Sequence, residues 1–125
     1  MDKKIEKEEK LNILRGEIYM MDLSPVVQSE QGGIRPCVVI QNNFGNRFSP
    51  NITIIPLTSV LSKKPLPTHI QIEGGKFGLK KKSVVMCESI RTISKKRVRE
   101  YIGTVDTNTM IKIENGVLIN LGILI

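Results

Sequence analysis

The chain has 125 residues, 40% of them hydrophobic, which suits a single domain that buries its own core without disulfide or metal staples. With 19 lysines and arginines against 12 acidic residues its net charge is +7, which favours a polyanionic partner, either nucleic acid or an acidic protein segment. One histidine and two distant cysteines cannot supply the three or four soft ligands of a zinc-type centre, so metal chemistry is discounted and no cofactor is expected.

Residues 1–14 alternate charges without an apolar stripe and read as a frayed extension or a short solvated helix, leaving 15–125 as one domain. The N-terminus lacks a secretory apolar segment, and no run approaches the ~18 apolar residues of a membrane span, so a soluble cytoplasmic protein is expected. Glu17 to Leu23 is the first strand candidate, ended by Ser24-Pro25, and a polar loop follows to Gly33. Ile34–Gln41 and Ile52–Leu57 are continuous apolar, β-branched runs of buried-strand type, separated by the turn formers of 42–50. Further strands are predicted at Thr68–Ile72, Ser83–Cys87 and Val98–Ile102, at spacings that favour a compact antiparallel barrel over βαβ units. The period then changes: Asp106 or Thr107 can cap a helix with Met110, Ile113, Val117, Leu118 and Leu121 on one face, despite Gly116, which costs about 1 kcal/mol relative to alanine.

The most informative stretch is Gly32-Gly33-Ile34-Arg35-Pro36-Cys37-Val38-Val39-Ile40. It sets an always-charged guanidinium between a glycine hinge and a buried strand, which outlines an anion site. Cys37 and Cys87 lie in apolar runs and read as buried thiols. His69 is the one side chain that titrates near neutrality, yet a lone histidine at a strand start reads better as a hydrogen-bonded structural residue than as a base. Lys63-Lys64, Lys80-Lys81-Lys82 and Lys95-Lys96-Arg97 read equally as phosphate-steering clusters or solvated turns. Among the loop aromatics, Phe48 beside Arg47 is the best base-stacking candidate, with a core plug as the competing role. No phosphate loop and no nucleophile elbow is present.

Arg15-Gly16-Glu17-Ile18-Tyr19, Asp22-Leu23-Ser24-Pro25, Ser29 to Pro36, Gly45-Asn46-Arg47-Phe48-Ser49-Pro50, Leu57-Thr58, Leu66-Pro67-Thr68-His69 and Glu88 to Ile93 together resemble the MazF/PemK toxin family, most of all its Gram-positive members. The resemblance implies a mainly β fold with flanking helices: a small SH3-like antiparallel barrel with a C-terminal helix, acting as a homodimer. It further implies a metal-independent, sequence-selective endoribonuclease toxin. The reaction would be attack by the ribose 2′-hydroxyl on single-stranded mRNA, leaving a 2′,3′-cyclic phosphate and a 5′-hydroxyl.

By the same resemblance the catalytic arginine falls on Arg35 and the catalytic threonine on Thr58, with Glu30 orienting Arg35 or accepting a proton. RNA contacts are implied for Gln28, Ser29, Gln31, Gly32, Gly33, Asn46, Arg47, Phe48, Glu88 and Ser89, with the loops 28–33 and 59–67 lining the groove. A cut motif containing U-A-C is the expectation, although Gln28 and Ser89 depart from close relatives. The implied protein partner is an antitoxin whose acidic C-terminal tail folds across the same basic groove. The charged extension and the Lys80–Lys82 triple also depart from the family pattern; neither is expected to touch the catalytic pair, and both can alter RNA affinity or the antitoxin contact. Two rivals come from other classes: a non-catalytic toxin of the same fold acting on a protein such as DNA gyrase, and a plain RNA-binding module.

Overall fold

The computed structural model describes residues 12–25, 32–61 and 64–125. Seven strands build one antiparallel sheet: β1 (Glu17–Asp22), β2 (Ile34–Val39), β3 (Asn51–Thr58), β4 (His69–Ile72), β5 (Ser83–Met86), β6 (Arg91–Ser94) and β7 (Val98–Thr104). Helix α1 (Asn43–Phe48) links β2 to β3, and α2 (Thr107–Asn120) follows β7. The path runs β4-β5-β3-β2-β1-β7, and β6 pairs with the first half of β3. No helix among the described residues is long and apolar enough to cross a membrane.

Continuous apolar runs are needed because the central strands are covered on both faces, so side chains on both sides of the pleat are buried. Ile18, Val38, Ile55 and Leu57 join Val85, Cys87, Met110 and Ile113 in one core, beneath α2. Their sequence neighbours Tyr19, Met21, Cys37, Val39, Ile52 and Ile54 join Ile13, Ile93 and Val98 in a second. The two cysteines thus sit in different cores as free, buried thiols.

The expected antiparallel barrel is present as an open one. Among the described residues no ladder joins β7 to β4 or β6. The loop after β4 bridges that gap instead. Glycines let the backbones meet there: a Cβ on Gly103 would lie 2.0 Å from the Phe77 carbonyl oxygen, and one on Gly78 would lie 2.2 Å from that of Ile102. Gly78 also has φ +81°, in the region that favours glycine.

Helix α2 starts one residue after Asp106, whose Oδ1 accepts the Thr109 N–H at 2.8 Å. Gly116 faces Cys87, and a Cβ there would come within 2.7 Å of Sγ, so its helix-propensity cost permits close packing. Two elements escape the sequence patterns. α1 lies in the segment read as turn formers and is capped by Asn42, whose Oδ1 accepts the Gly45 N–H at 2.8 Å. β6 has one buried side chain, Ile93, and is held by its pairing with β3, including a Thr53–Thr92 hydroxyl contact of 2.9 Å.

Candidate active site

Arg35 lies at the start of β2 and Thr58 at the end of β3. The β2–β3 ladder is registered Cys37↔Pro56, Val38↔Ile55 and Val39↔Ile54, and carrying it on by two residues sets Arg35 across from Thr58. Prolines at 36 and 56 lack an N–H, and regular β2–β3 pairing stops just short of this pair, while Arg35 stays paired with Met21 of β1 and Thr58 with Val84 of β5. Gly33, at φ +72°, turns the chain into β2, and its carbonyl accepts the Leu23 N–H at 3.0 Å. The Arg35 guanidinium is held by carbonyls: Nε donates to Gly32 at 2.9 Å and Nη1 to Leu57 at 3.3 Å. Thr58 Oγ1 accepts the Val60 N–H at 3.1 Å, which fixes the oxygen while its own O–H points elsewhere as a donor.

Arg35 and Thr58 both border a groove of about 670 Å³, together with Met20, Ile34, Ser59 and Ser83. Lys80 and Lys81 line the same groove. Two of the three basic residues, Lys80 and Lys81, therefore border the groove of the catalytic candidates, because the loop that closes the sheet against β7 carries them there, while Lys82 is turned to Glu73. Thr58 also borders a smaller pocket of about 60 Å³ with His69, Gln71 and Met86.

His69 is tied on both sides. Its Nδ1 accepts the Leu66 N–H at 3.1 Å, so the ring proton sits on Nε2 and is donated to Glu88 Oε2 at 2.8 Å. Glu88 Oε1 accepts the Thr68 hydroxyl at 2.8 Å. Desolvation pushes the Glu88 carboxyl up, but its own backbone N–H, His69 and Thr68 outweigh that and hold it below the ordinary carboxylate range. His69 thus anchors the turn that enters β4, in keeping with its structural reading.

The remaining candidates are distributed unevenly. Gln28, Ser29, Glu30 and Gln31 lie outside the described residues. Gly32 and Gly33 flank Arg35, whereas Glu88 and Ser89 occupy the single 3₁₀ turn after β5, with both Glu88 oxygens engaged internally. Asn46, Arg47 and Phe48 belong to α1, at the opposite end of the β2–β3 pair from Arg35 and Thr58. Asn46 is completely buried, its amide donating to Gln41 O and Asn43 Oδ1, so it has no surface to offer RNA. Phe48 is 64% exposed; it packs on Phe44 with ring centroids 4.8 Å apart and lies beneath the Arg47 guanidinium. Burial pushes the Cys37 and Cys87 thiols up to about 12, so both stay protonated at neutral pH and neither serves as a nucleophile. Among the described residues no three of His, Cys, Asp or Glu converge as a metal site.

Residues 14–121 match the model of the PemK-like, MazF-like toxins of type II toxin–antitoxin systems. The chain is 45% identical over 111 residues to the endoribonuclease MazF of Staphylococcus epidermidis, covering 89% of this chain and 92% of that one. It belongs to the PemK/MazF toxin family. Solved structures agree in fold. A mycobacterial endoribonuclease bound to its cognate antitoxin is 28% identical with TM-score 0.69, covering 89% of this chain and 94% of that one. MazF of Deinococcus radiodurans is 21% identical with TM-score 0.77, covering 88% and 96%. The open barrel with its C-terminal helix is therefore the PemK/MazF fold, and the groove beside Arg35 is the natural place to seek the family's chemistry.

Proposed function

We propose that this PemK/MazF protein is the toxin of a toxin–antitoxin pair and cuts single-stranded mRNA at a short sequence without a metal ion. The observation that carries this reading is the opposition of Arg35 and Thr58 at the rim of one groove. RNA supplies its own nucleophile, so the protein need only orient the chain and stabilise charge. The 2′-oxygen attacks the adjacent phosphorus and loses its proton as the bond from phosphorus to the 5′-oxygen breaks. The leaving 5′-oxygen takes up a proton, and the products end in a 2′,3′-cyclic phosphate and a 5′-hydroxyl.

Arg35 faces the scissile phosphate, with its orientation set by the Gly32 and Leu57 carbonyls. A planar guanidinium suits the charge that builds on the equatorial oxygens, and any proton it passes to the departing 5′-oxygen is replaced by the one the 2′-oxygen releases, so Arg35 ends the step as charged as it began. Thr58 donates its hydroxyl to a non-bridging oxygen. Glu30 orients Arg35, and the loops 28–33 and 59–67 read the bases. The 45% identity to a MazF endoribonuclease supports the activity, and the antitoxin-bound relative supports an antitoxin as protein partner. We assign the active form to a cytoplasmic homodimer, with the antitoxin's acidic tail as the inhibitor.

Replacing the ribose on the 5′ side of the cut by deoxyribose tests the chemistry directly. Loss of cleavage, with cyclic-phosphate and 5′-hydroxyl ends on the normal products, is expected. Continued cleavage of the deoxy substrate would show that water is the nucleophile and would end this mechanism.

A further inference from the structure

We propose that Lys80 and Lys81 form a phosphate-binding ledge that carries the RNA backbone past the Arg35–Thr58 pair, a subsite for phosphates flanking the cut. The inference rests on the ribonuclease reading above and adds to it a non-specific grip on the chain.

Two observations separate this ledge from an ordinary solvated turn. The first is placement and charge. Lys80 and Lys81 line the groove that Arg35 and Thr58 border. Among the described residues neither has an acidic side chain within 4 Å, whereas Lys82 is turned to Glu73, at 3.8 Å. Glu100 is the one carboxylate on the groove wall among the described residues. Arg35, Lys80 and Lys81 outnumber it, so the wall is net positive and suited to a chain of monoanionic phosphodiesters.

The second observation is rigidity. Leu79, adjacent to Lys80, is 5% exposed and belongs to the main core. Gly75 N–H donates to the Leu79 carbonyl at 2.6 Å, Leu79 N–H to that of Lys76 at 2.9 Å, and the Ser83 hydroxyl to that of Lys81 at 2.9 Å. Gly78 and Phe77, the latter at φ 53°, sit against Ile102 and Gly103 of β7 with no room for a Cβ at either glycine. The ledge is therefore part of the closure of the sheet, and its two ammonium groups leave a fixed backbone beside the groove. A lysine grips phosphate as a point charge without reading sequence, so the ledge should set affinity and salt dependence and leave the cut site unchanged.

The test uses the full-length protein and two RNAs bearing the same mapped cut site, one short and one extending well beyond it. Steady-state cleavage is measured across a salt series for wild type, Lys80→Gln/Lys81→Gln, Lys80→Arg/Lys81→Arg and Lys82→Gln. On the long RNA the glutamine pair should raise KM about tenfold and reduce the slope of log KM against log salt by ~1.4, about 0.7 for each lost contact on a single strand. Its kcat and cut site should stay as in wild type, the arginine pair should restore KM, and Lys82→Gln should change neither. On the short RNA the effect should shrink. A glutamine pair with wild-type KM and slope on the long RNA would overturn the ledge. So would loss of affinity for a glutamate-rich peptide alone, because that result assigns the lysines to a protein partner. Failure of wild type to cut any RNA is a separate result that would remove the ribonuclease reading itself.

Discussion

Arg35 and Thr58 are the residues to which the proposed mechanism assigns the chemistry, and their expected losses differ because their bonds differ. On that assignment Arg35→Ala removes the main stabiliser of transition-state charge, so kcat should fall by at least about 10²- to 10³-fold while the circular dichroism spectrum stays native. Thr58→Val keeps the volume and deletes one hydroxyl donor to a charged oxygen. That loss is worth about 1.5–3 kcal/mol, so single-turnover rates should drop by roughly ten- to a hundredfold with little change in RNA affinity. A Thr58→Val enzyme at wild-type rate would remove Thr58 from the mechanism. Arg35 could be picked out from its glycine-proline setting alone, since that pattern fixes a charge at a strand mouth. Thr58 could not, because a threonine at the end of an apolar run looks like any strand terminus until the β2–β3 register sets it across from Arg35. Lys80 and Lys81 were visible as charge and invisible as position, since the close approach of Gly78 and Gly103 that brings them to the groove joins distant parts of the chain.

Among the elements, the turn that enters β4 and helix α2 carry separable stability terms. Glu88 is held below the ordinary value of 4.5, so it binds protons less readily folded than unfolded. Its contribution is therefore full above that value and is lost as pH falls through the lower folded pKa. The melting-temperature gap between wild type and Glu88→Gln should accordingly be constant near neutrality and close in acid; a gap independent of pH would mean that the carboxylate charge has no part in the Thr68–His69 contacts. In α2, Gly116→Ala gains about 1 kcal/mol in helix propensity but drives a Cβ to within 2.7 Å of Cys87 Sγ. Overpacking of about 1–3 kcal/mol should prevail, and Cys87→Ala in the same chain should relieve it in urea unfolding. The helix itself was readable from its three- and four-residue spacing and the Asp106 cap. α1 was hidden because its sequence, Asn43-Phe44-Gly45-Asn46-Arg47-Phe48, is made of residues common in turns, and only the Asn42 cap and the burial of Asn46 commit it to a helical turn. β6 was hidden for a related reason: a strand with one buried side chain has no detectable period and exists through its partner.

At the scale of the whole molecule, the two-faced sheet explains how a short chain presents a rigid basic groove. Ile55 and Leu57 pack into one core while Ile52 and Ile54 pack into the other, so β3 is clamped from both sides up to the point where Thr58 emerges. Ile113, completely buried on the inner face of α2, is the test of that clamp: Ile113→Ala should cost about 2–5 kcal/mol in denaturant unfolding, with the cleavage chemistry retained in the folded fraction. The barrel class was readable from short strands at close spacing, but its opening at β7 was not, because the decision depends on a loop that fills the gap in place of a ladder. The central claim is that this scaffold directs a metal-independent attack of RNA on itself beside Arg35. It is tested most directly by incubating purified wild-type and Arg35→Ala proteins with a long single-stranded RNA in excess EDTA and mapping every new 5′ end. The account predicts discrete cuts at one short sequence by the wild type alone. Chelator-sensitive cutting, or the same cuts at the same rate from Arg35→Ala, would contradict it.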